Sequence, residues 1–251
     1  MENKFVYKNK NELIKNYFPA CVDNFFNDPD LIKKYALSLK YEKDDLGRWP
    51  GERTKPLHLI DNELYMAIML KMLSVYIDID FQNVEWTNAS LQFHKIKSFD
   101  NENLNKGWVH TDIDYELAGL VYLNQNVNLS TGTSIYKLKK GETYSMYERH
   151  YEKHLFLKGE NIKDEDYINS LKNNLNKFEE TINFSNVYNR FICYDAKEYH
   201  TLNGIDNTEE RLTLLLFADG LKMQNKKPMQ RVKNNLSFDN FIENRIKNYY
   251  V

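Results

Sequence analysis

Apolar residues recur along this chain at two different spacings, and the change from one to the other divides it. Leu31, Ile32, Tyr35 and Leu39 follow a period near 3.6 and predict an amphipathic helix with one face in the core. Asp28 is placed to cap its open N–H groups, and Pro29 at the first helical position gives up no hydrogen bond. A second helix is expected after Asp61, where Leu64, Met66, Ile68, Met69, Leu70, Met72 and Leu73 fall densely enough for most of its surface to be buried. Between the two, residues 43–57 contain Gly47-Arg48-Trp49-Pro50-Gly51-Glu52-Arg53 and read as a loop turned by Pro-Gly.

After residue 84 the period shortens to two. Ser90 to Ile96 alternates polar and apolar, as a half-buried strand does. Further strands are expected at Trp108–Asp112, Leu117–Leu123, Thr133–Leu138, Arg190–Tyr194, Tyr199–Leu202 and Arg211–Ala218. Residues 142–182 turn helical and strongly charged. The tail from 221 is basic and polar, with a short closing helix near 238–248. This order predicts a single α+β domain. Its helical N-terminal support covers about 20–80, its β core about 85–220 with a helical insertion at about 140–185, and its tail 221–251.

Composition narrows the functional classes. Hydrophobic residues make up 42% of the 251 positions and aromatics 14%, enough for a packed core, which excludes wholesale disorder. Lys and Arg number 34 against 36 Asp and Glu, so the chain does not grip nucleic acid by bulk charge. A local basic edge at 221–233 (Lys222, Lys226, Lys227, Arg231, Lys233) stays open, with lysine enrichment as the blander account. Two cysteines, Cys21 and Cys193, exclude a disulfide scaffold and a multi-cysteine zinc module. No apolar run is long enough to span a membrane, and Met1-Glu2-Asn3-Lys4 lacks the layout of a signal peptide, so a cytoplasmic setting is expected.

The candidate chemistry lies among the histidines. An acidic residue two positions after a histidine occurs at His110-Thr111-Asp112 and at His150-Tyr151-Glu152. Such a pair arises readily by chance, so context must separate them. In a strand i and i+2 share a face, and His110 and Asp112 can hold one metal. In a helix they diverge by about 200°, and His150 and Glu152 cannot. His150 and His154 have the i, i+4 spacing of a helical metal pair, but Arg149 and Lys153 flank them with positive charge, which favours a solvated face. His200, at the end of a later strand, completes two imidazoles and one carboxylate, a facial triad suited to non-haem Fe(II). Arg211 follows at the start of an otherwise apolar strand, where a guanidinium can clamp a dicarboxylate in bidentate fashion.

With those residues in view, the chain resembles the Fe(II)/2-oxoglutarate-dependent dioxygenases, most closely their prolyl-hydroxylase-like branch. The likeness rests on His-x-Asp at 110–112, the distal His200 and then Arg211. It is extended by Trp108-Val109-His110-Thr111-Asp112, Leu120-Val121-Tyr122-Leu123-Asn124, Gly132-Thr133-Ser134-Ile135-Tyr136 and Asn189-Arg190-Phe191-Ile192-Cys193-Tyr194. More loosely, it includes Val22 to Pro29 and Trp49 to Arg53. It covers about 110–217 well and 20–55 loosely. The chain departs from the family pattern at Gly132, which lacks a paired glycine, and at Leu215, where some members have a hydroxyl residue.

The resemblance implies a double-stranded β-helix, the jelly-roll or cupin-like fold. It implies Fe(II) held by His110, Asp112 and His200, with 2-oxoglutarate and O2 as cosubstrates. Arg211, Tyr122, Gln92 and Thr213 would serve the cosubstrate, and His94, Trp108, Tyr136 and Tyr199 would face substrate. The implied reaction is hydroxylation of an unactivated C–H bond in a small molecule, amino acid or peptidyl side chain, with release of succinate and CO2. Asp112 in place of a small residue favours hydroxylation over halogenation. Two other classes remain open at this point: a cupin-like zinc isomerase or hydrolase using the same triad, and a non-catalytic jelly-roll binding module.

Overall fold

Both helix starts form as expected. Asp28 accepts from the Leu31 N–H at 3.0 Å, and Asp61 from the Leu64 N–H at 3.0 Å. The computed structural model describes residues 17–77, 79, 84–144, 151–160, 162–223 and 236–249. In chain order the elements are β1 (Ala20–Val22), α1 (Pro29–Ser38), β2 (Tyr41–Lys43), β3 (Glu52–Thr54), α2 (Asn62–Leu73), β4 (Val84–Glu85), β5 (Asn88–Ile96) and β6 (Leu117–Tyr122). There follow β7 (Thr133–Leu138), α3 (Tyr151–Lys158), α4 (Asp164–Asn176), β8 (Phe178–Phe184), β9 (Phe191–Asp195), β10 (Tyr199–Leu202), β11 (Arg211–Asp219), β12 (Lys222–Met223) and α5 (Leu236–Tyr249).

The strands form a seven-stranded sheet in the order β1-β9-β6-β11-β5-β3-β2, a three-stranded sheet β10-β7-β8 and the pair β12-β4. All the strand pairings are antiparallel. Side chains alternate across the large sheet, giving it two different faces. Leu91, Phe93, Val121, Cys193, Leu212, Leu214 and Leu216 pack with Ile32, Tyr35, Ile68, Met72, Ile242 and Ile246 of the helices. From the opposite face, Ala118, Leu120, Ile192, Tyr194 and Leu215 join Ile135 and Phe184 of the small sheet. The architecture is thus helices on one side of a large antiparallel sheet and a smaller sheet on the other. No helix among the described residues is long and apolar enough to cross a membrane.

Three expectations are corrected. The segment 43–57 is not wholly loop: Glu52–Thr54 forms β3, which pairs with β2 and adds to the edge of β5. Gly51 makes this close approach feasible, with φ of +73° and room for no Cβ, which would lie 2.0 Å from the Lys95 carbonyl oxygen. The expected helical run to 182 stops earlier, because Phe178–Phe184 is the edge strand β8. Only its terminal phenylalanines are buried, so its exposed Glu179-Glu180-Thr181-Ile182-Asn183 shows no apolar alternation.

Finally, Trp108–Asp112 is not a full strand but a single bridge, His110 to His200. Its other side is occupied by the Asn174 amide of α4. That side chain accepts from the Val109 N–H at 2.8 Å and donates to the Val109 carbonyl at 3.0 Å, in place of a neighbouring strand. The unpaired Gly132 also has a local reason: a Cβ there would lie 1.7 Å from the Phe184 carbonyl oxygen of β8. His150, Lys226, Lys227, Arg231, Lys233 and the N-terminal Met1-Glu2-Asn3-Lys4 lie outside the described residues.

Within the helix-side core, the Lys71 ammonium of α2 donates to both carboxylate oxygens of Asp239 on α5, at 2.7 and 2.8 Å, with both side chains 2% exposed. Removing one partner leaves a buried charge uncompensated. Lys71→Ala is therefore expected to cost about 3–5 kcal/mol in urea unfolding, whereas an apolar pair, Lys71→Met with Asp239→Leu, costs much less. An equal loss in the single and double variants would contradict this account.

Candidate metal centre

The His110–His200 bridge is the frame of the site. His110 N–H donates to the His200 carbonyl at 3.1 Å, and His200 N–H returns the bond at 2.9 Å. The two imidazoles therefore stand directly opposite one another, their ring centroids 4.5 Å apart. Asp112, whose N–H donates to the Ala196 carbonyl at 2.8 Å, comes back to the same side two residues later. One ligand atom from each of His110, Asp112 and His200 lies within 4.8 Å of the others. Asp112 Oδ2 is 3.2 Å from His200 Nε2, and Oδ1 is 3.8 Å from His110 Nε2.

The outer nitrogens fix the tautomers. His110 Nδ1 lies 2.7 Å from the Trp108 carbonyl, and His200 Nδ1 lies 2.9 Å from the Glu198 carbonyl. A carbonyl can only accept, so each Nδ1 carries the proton and each Nε2 turns its lone pair inward. Burial, followed by the neighbouring His200, drives the His110 pKa well below the usual imidazole range. Burial opposes charge on Asp112, but the positive charge around it, from the imidazoles whenever they are protonated and from Arg53, lowers its pKa and holds the carboxyl ionised. Neutral nitrogens and an ionised oxygen gathered at one point fit a divalent metal that needs N/O donors and keeps open positions. The Tyr194 ring packs on His200 at 4.8 Å and steadies it.

The three ligands line a cavity of about 520 Å³ that also reaches the inner face of the large sheet. Register places Arg53, His94, Thr213 and Tyr122 side by side across β3, β5, β11 and β6. Of these, Arg53, His94 and Thr213 line the cavity, as do Gln92, Trp108 and Arg211. Arg211 is 5% exposed and forms no ion pair among the described residues. The acids nearest it in sequence are otherwise engaged: Glu209 with Lys33 at 2.6 Å, and Glu210 with Lys95 at 4.0 Å. Its Nη1 donates to the Thr131 carbonyl at 2.5 Å, and burial lowers its pKa.

Tyr122 is fully buried below Arg211, whose guanidinium lies 5.3 Å from the ring centre, and its hydroxyl donates to Thr133 at 2.9 Å. It therefore supports the arginine from beneath and is not part of the cavity wall. Gln92 lines the wall while its Nε2 donates to the Thr54 carbonyl at 2.8 Å. His94 is tied through Nε2 to the Pro50 carbonyl at 2.6 Å, and Trp108 packs edge-on against Tyr167.

Tyr136 and Tyr199 do not line the cavity. They pair with each other across β7 and β10, next to Ile135 and His200, which point inward. Alternation therefore turns both tyrosines to the outer face, where Tyr199 packs on Phe178 and Tyr144. His154 belongs to α3 and to no metal-type cluster among the described residues.

Four cavity cations were not among the site residues expected from the sequence, Arg48, Arg53, Lys106 and Lys153, and of these Arg48 is paired with Asp44. The only signal for Arg53 was its place beside Gly51 in a short run later found to be a strand. Lys153 on α3 read as a flanking surface charge.

The description "Family of unknown function (DUF6445)" belongs to a family model that matches residues 13–212. No curated protein sequence gives a significant match. Among solved structures, HygX from Streptomyces hygroscopicus with nickel, 2-oxoglutarate and hygromycin B bound is similar at 11% identity and a TM-score of 0.48, covering 81% of this chain and 84% of that one. EvdO2 from Micromonospora carbonacea var. aurantiaca aligns at 10% identity and TM-score 0.48, covering 86% and 93%. A Pseudomonas putida prolyl-4-hydroxylase aligns at 10% identity and TM-score 0.40, covering 81% and 94%.

Two outcomes are expected of the centre. Fe(II) or Co(II) at a hundred times its dissociation constant stabilises the protein by about 2.7 kcal/mol, read as a rise in Tm, and Asp112→Ala abolishes the rise. A rise that survives the substitution would place the metal elsewhere. Separately, burial and then the charge of Arg53 keep the His94 pKa far below the ordinary histidine value. The unfolded chain takes up a proton below about pH 6.5 that folded His94 refuses, so metal-free stability falls on acidification, by up to about 2 kcal/mol for this group at pH 5. Urea midpoints at pH 7 and 5 should converge in His94→Gln, and an unchanged pH dependence would refute the assignment.

Proposed function

The chain belongs to that family of unknown function, and from its own side chains we propose an Fe(II)- and 2-oxoglutarate-dependent oxygenase that hydroxylates an unactivated C–H bond. Among such enzymes its motif order is nearest to the prolyl-hydroxylase-like branch, and we read the two opposed sheets as a double-stranded β-helix. The observation that carries the reading is the conjunction of two features in one cavity. One is a facial triad with its lone pairs turned inward, and the other is a buried guanidinium with no carboxylate partner among the described residues.

His110, Asp112 and His200 would hold the metal and leave positions open to ligands. When bound, Fe(II) with 2-oxoglutarate and O2 supplies oxidative decarboxylation to succinate and CO2, coupled to attack on a C–H bond. The protein's part is placement and exclusion. Arg211 offers a desolvated fork to the far carboxylate of the cosubstrate. Tyr122 below it and the Thr131 carbonyl keep that fork from swinging, and Thr213 and Gln92 shape the wall between anchor and metal. The carbonyls of Trp108 and Glu198 hold the imidazoles in the ligating tautomer through the whole cycle. A zinc hydrolase built on the same triad would have no use for the unpaired Arg211.

Under anaerobic conditions, Fe(II) and 2-oxoglutarate together are expected to give a visible charge-transfer band, absent in His110→Ala. Arg211→Gln should raise the 2-oxoglutarate concentration needed for half of the band at least about tenfold, the loss of roughly one charge-assisted hydrogen-bonded contact. No band in the unmodified protein, with tight zinc binding in its place, would end the oxygenase reading.

A further inference from the structure

Arg53 reaches the cavity from β3, a strand apart from those that carry the metal ligands and Arg211. Its guanidinium stacks over the Trp49 ring at 4.1 Å from the centroid and lies 5.8 Å from that of Phe217. Its Nε is shut off from solvent and has no hydrogen-bond partner. Stacking fixes the plane of the group but uses none of its N–H donors, which all lie along its edge. Lys153 of α3 lines the same cavity. Neither cation has a carboxylate within ion-pair distance among the described residues, whereas neighbouring Arg48 is taken up by Asp44 at 2.7 Å.

Both groups line the cavity that the triad lines, and the charge of Asp112 acts on each of them. Burial lowers the pKa of Lys153 to about 8 and of Arg53 to about 10, a desolvation cost that an arriving anion would offset. The charge balance points the same way. A ferrous ion and doubly charged 2-oxoglutarate cancel, and Arg211 and Asp112 are engaged by them. Arg53, Lys153 and Lys106 are left facing Asp114 alone. A cationic substrate would meet like charge here. Phe99, Leu104, Trp108, Leu157 and Tyr167 add an apolar stretch to the same wall.

We propose that the substrate is a small carboxylic acid with an apolar body, and that Arg53, assisted by Lys153, receives its carboxylate beside the metal centre. This deepens the oxygenase reading and rests on it for the role of Arg211.

The test uses the anaerobic Fe(II) complex saturated with 2-oxoglutarate, so that Arg211 is already occupied. N-acetyl-L-leucine and N-acetyl-L-phenylalanine are titrated in parallel with their C-terminal amides and with spermidine, following both the charge-transfer band and calorimetric heat. The acids are expected to bind at least about tenfold more tightly than the amides, as for one charge-assisted fork, and spermidine not at all. Arg53→Gln should erase the preference for acid over amide while 2-oxoglutarate still elicits its band, and Lys153→Met should reduce it in part. Amides binding as well as acids, failure of all the acids to bind, binding of spermidine, or a preference that survives Arg53→Gln would each overturn the proposal. Absence of the band in the unmodified protein would count against the oxygenase reading instead. The acid–amide comparison, repeated by calorimetry on metal-free Arg211→Gln protein with and without Arg53→Gln, decides the anion site independently.

Discussion

Two backbone hydrogen bonds between His110 and His200 hold the centre of this molecule together. They are the sole β-type pairing of the 108–112 segment, yet they set two imidazoles opposite one another and bring Asp112 round to the same side. Together with the Asp112 N–H to the Ala196 carbonyl, the bridge gives residues ninety positions apart in the chain a common frame. The other edge of the segment is satisfied by the Asn174 amide, so α4 contributes through Val109 to the position of the His110 and Asp112 side chains. The Trp108 and Glu198 carbonyls then decide which nitrogen of each ring faces inward.

The second organising constraint is the cost of burying charge. The large sheet presents an apolar face to the helices and a mixed face to the cavity, and Arg53 and Arg211 on the mixed face have no carboxylate at ion-pair distance among the described residues. A buried guanidinium without an acid is an expensive feature of a fold unless something anionic occupies the space in front of it. On the helix side the same rule is met internally, where Lys71 and Asp239 satisfy each other. The paired charge in the core thus differs from the cavity cations Arg53 and Arg211, which have no ion-pair partner among the described residues.

How much was legible along the chain depended on whether a segment's burial was periodic. β5 and β11 bury alternate residues against the helices, so their alternation or apolar density was visible, and Asp28 and Asp61 marked helix starts by local chemistry alone. β8 was missed because an exposed edge strand has no buried set to reveal it. β3 was missed because three residues are too few to show a period, and its pairing is set by the partner strand. Tyr136 and Tyr199 were expected on the substrate side, but each is next in its strand to an inward residue, Ile135 or His200, and adjacency in a strand means the opposite face.

The sequence by itself determined the donor types and the spacing of the triad, the arginine at the head of β11 and the helix caps. These depend on covalent order and on interactions within a few residues, which any local reading can recover. Only the tertiary structure decided that the three donor atoms converge, that Tyr122 lies beneath Arg211 and outside the cavity wall, and that Arg53 and Lys153 line the same cavity with no carboxylate at ion-pair distance among the described residues. Those outcomes turn on which strands become neighbours and on where water is excluded. Both are properties of the assembled sheets, since burial and pairing arise only when distant segments meet.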